Sequence, residues 1–116
     1  MLLKTKSIGT NSDRALLLDF QAALETKPEK AIKLEKDALA QIETITADNA
    51  RLVSNLHANL GGLYRMNAHP DLPQAKIHFK RAFKIYEKIW ADEPEMIKAK
   101  YQEIQELYPQ VGFFLG

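Results

Sequence analysis

Apolar positions recur three and four residues apart along most of the chain, as in Ala75, Phe79, Ala82, Phe83, Tyr86 and Ile89. Such spacing gathers them on one face of an α-helix, so the pattern predicts an all-helical protein. Punctuation falls where the helices should begin. Thr26 is placed to cap a helix with Pro28 in the first turn and Glu29 closing a capping box; Asp71 with Gln74 and Asp92 with Glu95 repeat the device around Pro73 and Pro94. Softer starts fall near Ser12 and Asp48. Helices are therefore expected at 12–25, 27–46, 48–67, 72–91 and 93–108. Residues 1–11, with Gly9, Thr10 and Asn11, read as an N-terminal arm, 12–108 as the helical domain and 109–116 as an apolar, non-helical tail.

The pattern also repeats. Shifting the chain by 44 residues superposes Leu16 on Leu60 on Ile104 and Phe20 on Tyr64 on Tyr108. The same shift brings Ala31 onto Ala75, Ala38 onto Ala82, Leu39 onto Phe83, Ile42 onto Tyr86, Ile45 onto Ile89, Leu52 onto Met96 and Val53 onto Ile97, with no gap. A two-helix unit in tandem accounts for this; an ordinary five-helix bundle with accidental periodicity is the competing reading.

The middle unit carries Leu60, Gly61 and Tyr64, then Ala75, Phe79 and Ala82. Small residues at Gly61, Ala75 and Ala82 suit a close approach of two antiparallel helices, with Tyr64 and Phe79 filling the gaps beside them. This resembles the tetratricopeptide repeat, in a long form similar to that of kinesin light chains and bacterial peptide-sensing regulators, with two extra residues in the turn between Ala68 and Leu72. The first unit departs from it at Leu17 and Glu35, where a small residue and an aromatic are wanted, and the third at Gln105. The resemblance implies an α-α superhelix of antiparallel helix pairs, with a concave groove lined by the first helix of each pair. It also implies a non-catalytic protein or peptide interaction module. With Leu60 and Tyr64 at the pair interface, the lining would be Asn55, Asn59, Gly62, Arg65 and Met66, joined by Arg14 from the first unit. In the family an asparagine at the place of Asn59 commonly hydrogen-bonds the backbone of a bound peptide; as plain helix-surface residues, Asn55 and Asn59 would simply be solvated. The family's carboxylate clamp is not reproduced, because Leu18, Ala99 and Glu103 stand where an asparagine and basic residues are required.

Composition narrows the function further. The 116 residues hold 16 Lys+Arg, 15 Asp+Glu and no Cys, for a net charge of +1. No disulfide or thiolate chemistry is available, and no global field favours nucleic acid. No apolar run is long enough to span a membrane, so a soluble, cytoplasmic protein is expected. Three scattered histidines, lone serines and the absence of a phosphate loop argue against an enzyme, a bound metal or a cofactor, and Gly61-Gly62 reads as helix packing. Lys76, Lys80, Lys84 and Lys88, with Arg81, form a basic helix stripe best read as a solvated outer face. His69-Pro70-Asp71 resembles the turn of J-domain co-chaperones, but helix termination by Pro70 and capping by Asp71 explain the same residues. Trp90 and the tail residues Phe113, Phe114 and Leu115 place large apolar groups at the open end of a repeat stack, which predicts self-association, with a homodimer expected. A small regulatory subunit that senses a signalling peptide shares this fold and is the alternative reading.

Overall fold

Side-chain caps at Thr10 and Asp71 and prolines at Pro28 and Pro94 mark four of the helix starts. The computed structural model describes residues 10–107, and among them lie five helices: α1 (Asn11–Leu24), α2 (Pro28–Ala40), α3 (Ala50–Met66), α4 (Leu72–Ile89) and α5 (Pro94–Leu107). There is no strand among the described residues. Residues 1–9 of the expected arm, Tyr108 and the tail 109–116, with Phe113, Phe114 and Leu115, lie outside the described residues. The arm is shorter than expected, because Thr10 is the N-cap of α1, its Oγ1 accepting from Asp13 N at 3.0 Å, and Asn11 is already helical. Asp71 caps α4 as predicted, accepting from Gln74 N at 3.1 Å.

Two local expectations fail. Thr26 is not the cap of α2: the N-cap is Lys27, Pro28 opens the helix, and Glu25 Oε1 accepts from Thr26 N and Lys27 N at 3.1 and 3.2 Å. The helix therefore opens without a side-chain cap, and Lys30 N and Ala31 N bond to Lys27 O. The second helix also stops at Ala40 instead of reaching 46. Gln41 N and Ile42 N close onto Ala38 O and Leu39 O, and Thr46 and Asn49 then exchange bonds, Thr46 N to Asn49 Oδ1 at 2.8 Å and Asn49 N to Thr46 Oγ1 at 3.3 Å. The stretch holds the β-branched residues Ile42, Thr44, Ile45 and Thr46, which carry a lower helix propensity. Ile45, which the 44-residue shift matches to Ile89, is consequently exposed.

Consecutive helices pair as α1–α2 and α3–α4 hairpins, with α2 packed on α3 and α5 on α4. The molecule measures 50 × 38 × 20 Å, and its short dimension is that of two helix layers. The main core lies between α4 and its neighbours: Ala75, Phe79, Ala82, Phe83, Tyr86 and Trp90 bury together with Ile104 of α5. Ala75, Ala82 and Phe79 are fully buried, and a Cβ at Gly61 would stand 2.8 Å from the Phe79 ring, so α3 and α4 touch through small residues as expected.

The first hairpin does not obey the gapless repeat. Its core face on α1 is Ala15 and Ala22, while Leu16, Leu17, Phe20 and Leu24 are exposed. The cause is the connection: residues 25–27 join α1 to α2, whereas 67–71 join α3 to α4. A helix advances about 100° per residue, so a two-residue difference turns α1 by roughly 200° relative to the 44-residue alignment. The helix starts Pro28 and Leu72 keep the 44-residue offset, but the ends Leu24 and Met66 are offset by 42. In that register Leu18 corresponds to Leu60 and Asp19 to Gly61, while Glu35 still corresponds to Phe79.

Candidate functional site

The corrected register puts two acids where the second hairpin has its tightest contact. Glu35 on α2 is 2% exposed and hydrogen-bonds to Asp19 on α1 and to Asn59 on α3. Asn59 Nδ2 donates to Asp19 Oδ1 at 3.0 Å. Burial first, then the hydrogen bond and negative charge of Asp19, push the Glu35 carboxyl up to about 9, against a weaker downward pull from Asn59. At neutral pH Glu35 therefore holds a proton and can donate it to the Asp19 carboxylate. Its Oε1 is buried with no hydrogen-bond partner.

Two open hollows meet at this cluster. One, of about 450 Å³, lies between α1 and α3 and is lined by Asp19, Phe20, Glu35, Asn59, Gly62 and Met66 among others. The other, of about 340 Å³, lies between α3 and α5 and is lined by Asp19, Asn55, Asn59, Tyr86, Lys100 and Glu103 among others. Both share Asp19, Ala58 and Asn59, so they form a trough across the first helices of the successive hairpins.

Four of the six residues expected to line a groove meet here: Asn55, Asn59, Gly62 and Met66. Asn55 Oδ1 accepts a long bond of 3.5 Å from the Tyr86 hydroxyl. Arg14 is elsewhere. Its Nε donates to Gln41 Oε1 at 3.3 Å just past the end of α2 and its Nη2 donates to Asn11 Oδ1, because the turned α1 carries it away from the trough. Arg65, half-buried near the end of α3, lines neither hollow. Trp90 is no open-end surface: it is buried, stacked on Tyr86 at 5.0 Å with the Arg51 guanidinium 5.3 Å from its ring. The expectation that it mediates self-association is corrected accordingly. Lys80, Lys84 and Lys88 are exposed on the outer side of α4, in keeping with a solvated face.

Sequence reasoning missed Asp19 and Glu35 as a unit, although Glu35 in an aromatic's place was a visible mismatch. It also missed a histidine pair. His57 Nδ1 and His78 Nδ1 lie 2.9 Å apart, the rings stacked at 5.2 Å, with Tyr64 stacked on His78 at 5.6 Å. Burial, followed for His57 by the charges of His78 and Arg81 and for His78 by those of Arg81 and Lys36, lowers both to about 4. One ring then donates to the other as neutral imidazoles. The α3–α4 hairpin brings together residues 21 apart in sequence, so no spacing signal could mark them. Among the described residues no three His, Cys, Asp or Glu converge in a way that could hold a metal ion, and no helix is long and apolar enough to cross a membrane. No family model, curated protein or solved structure matches the chain.

Proposed function

We propose that the chain is a non-catalytic interaction module of the tetratricopeptide type that holds an extended peptide along the α1–α3–α5 trough. The observation that carries this reading is the confluence of two hollows at Asn59, with amide groups at Asn55 and Asn59 and apolar contact at Met66. Carboxamides present both donor and acceptor, as an extended backbone requires. Asn59 works here as part of the Asp19–Glu35 cluster, so Asn55 is the cleaner probe. Peptides selected from a displayed random library against the protein should lose at least fivefold in affinity with Asn55→Ala and with Met66→Ala. The thermal midpoint of both variants should stay within about 2 °C of the parent, since both side chains are exposed. Selected peptides that bind both variants as tightly as the parent would place the ligand elsewhere.

Self-association is also proposed, through α1 and not through Trp90. Leu16, Leu17, Phe20 and Leu24 are 43%, 58%, 60% and 83% exposed and share one side of the helix. Leu17→Lys should shift sedimentation from dimer to a species of about 13 kDa. A parent that sediments as a monomer at high concentration removes the idea.

A further inference from the structure

The α1–α3 hollow has a chemistry more selective than backbone binding needs. Glu35 lines it, is 2% exposed and keeps Oε1 without a partner, so a buried acceptor beside an open cavity lacks a donor. Among the described residues, the charged ones lining the hollow are Asp19, Glu25 and Glu35, with no lysine, arginine or histidine. Much of the remaining wall is hydrocarbon, from Phe20, Leu63 and Met66. A volume of about 450 Å³ is ample for one long side chain.

We propose that this hollow takes a lysine side chain of the bound peptide, its ammonium paired with Glu35 and its four-carbon stem lying along Phe20, Leu63 and Met66. The inference rests on the groove reading above and adds the residue class that the groove selects. A lysine ammonium, a compact charge at the end of a flexible stem, can meet the single unpartnered acceptor Oε1 that the hollow presents. The stem suits the apolar wall, as lysine side chains commonly bury their methylenes and keep the head on a polar group.

Binding carries a proton signature. Glu35 faces Asp19 from α1 and Asn59 from α3, with Glu25 on the wall of the same hollow, and it holds a proton at neutral pH. When the ammonium enters, the carboxyl O–H bond breaks, the proton leaves to solvent, and an ammonium–carboxylate pair replaces the acid. One proton is released per ligand, so affinity should rise by up to tenfold per pH unit between about 6.5 and 9.

The test uses calorimetry with N-acetyl-lysine methylamide and its norleucine counterpart, which keeps the stem and lacks the charge. The lysine probe should bind at least tenfold more tightly than the norleucine probe to the unaltered chain at pH 8.5. Its affinity should fall by more than tenfold at pH 6.5, with proton release visible as a dependence on buffer ionisation heat. Glu35→Gln, uncharged and of the same shape, should remove the preference. Equal affinity for the two probes, or a preference that survives Glu35→Gln, overturns the proposal, and the first comparison needs no variant to fold. If that happens while selected peptides still depend on Asn55 and Met66, the lysine pocket alone is wrong; if that dependence is missing too, the groove goes with it.

Discussion

A methyl group on Gly61 would meet three ring carbons of Phe79 at 2.8 Å, and Phe79 is fully buried in the main core. Two effects compete in Gly61→Ala. The helix gains about 1 kcal/mol of propensity, while overpacking a rigid site costs about 1–3 kcal/mol. The ring has no exposed side toward which to move, so the clash should win. We expect a net loss of about 1–2 kcal/mol in urea unfolding; an unchanged or raised stability would mean that the two helices are farther apart. Glu35 is the opposite kind of residue, one whose cost comes from its charge. With its carboxyl raised from 4.5 to about 9, keeping it in place at pH 7 costs on the order of 3 kcal/mol relative to an unshifted acid. That cost is understandable if the residue serves binding more than stability.

At the scale of the helix, the caps separate what could be read from the sequence from what could not. Asp71 was legible because a cap, a proline and a polar third residue coincide, and its carboxylate accepts from Gln74 N. Thr26 offered the same pattern, but the chain enters α2 one residue later, with Lys27 as an N-cap that makes no side-chain bond and Glu25 holding Thr26 N and Lys27 N before the helix, an outcome that depends on how the α1–α2 turn folds. Asp71→Ala should therefore cost about 1 kcal/mol, whereas Thr26→Ala should change stability by less than about 0.5 kcal/mol. Equal losses in thermal unfolding would restore the threonine cap. The register of α1 failed for a related reason. Leu16 and Phe20 match Leu60 and Tyr64 in sequence, yet the turn is two residues shorter and presents the other face. Loop length, not hydrophobic identity, decided which side is buried. The departure at Glu35 was visible, but its meaning needed Asp19 opposite it.

Over the whole molecule, the buried titratable groups set a pH profile. His57 and His78 are lowered from 6.5 to about 4, so between those values the unfolded chain binds more protons and stability rises with pH. Glu35 is raised from 4.5 to about 9, so across that span the folded chain binds the extra proton and stability falls as pH rises. Two histidines outweigh one glutamate below 6.5, and above it Glu35 acts alone among the three. Unfolding free energy should peak near pH 6.5 and decline toward pH 9 by roughly 1 kcal/mol per unit, while Glu35→Gln should be flat over that range. A parent protein with no decline would contradict the assignment. The five helices, their hairpin pairing and the α3–α4 contact were legible because they follow from local periodicity and small-residue spacing. The trough's acidic end and the histidine pair were not, since both arise from residues on different helices that only tertiary packing brings together.

All of this turns on α1 presenting Ala15, Asp19 and Ala22 inward, so that Asp19 meets a buried Glu35. The most direct measurement is a ¹³C NMR titration of the Glu35 side-chain carboxyl in the folded protein. Its midpoint should lie near 9, with the signal still that of a protonated acid at pH 7. A midpoint near the ordinary glutamate value of 4.5 would mean that Glu35 is solvated and α1 is turned the other way.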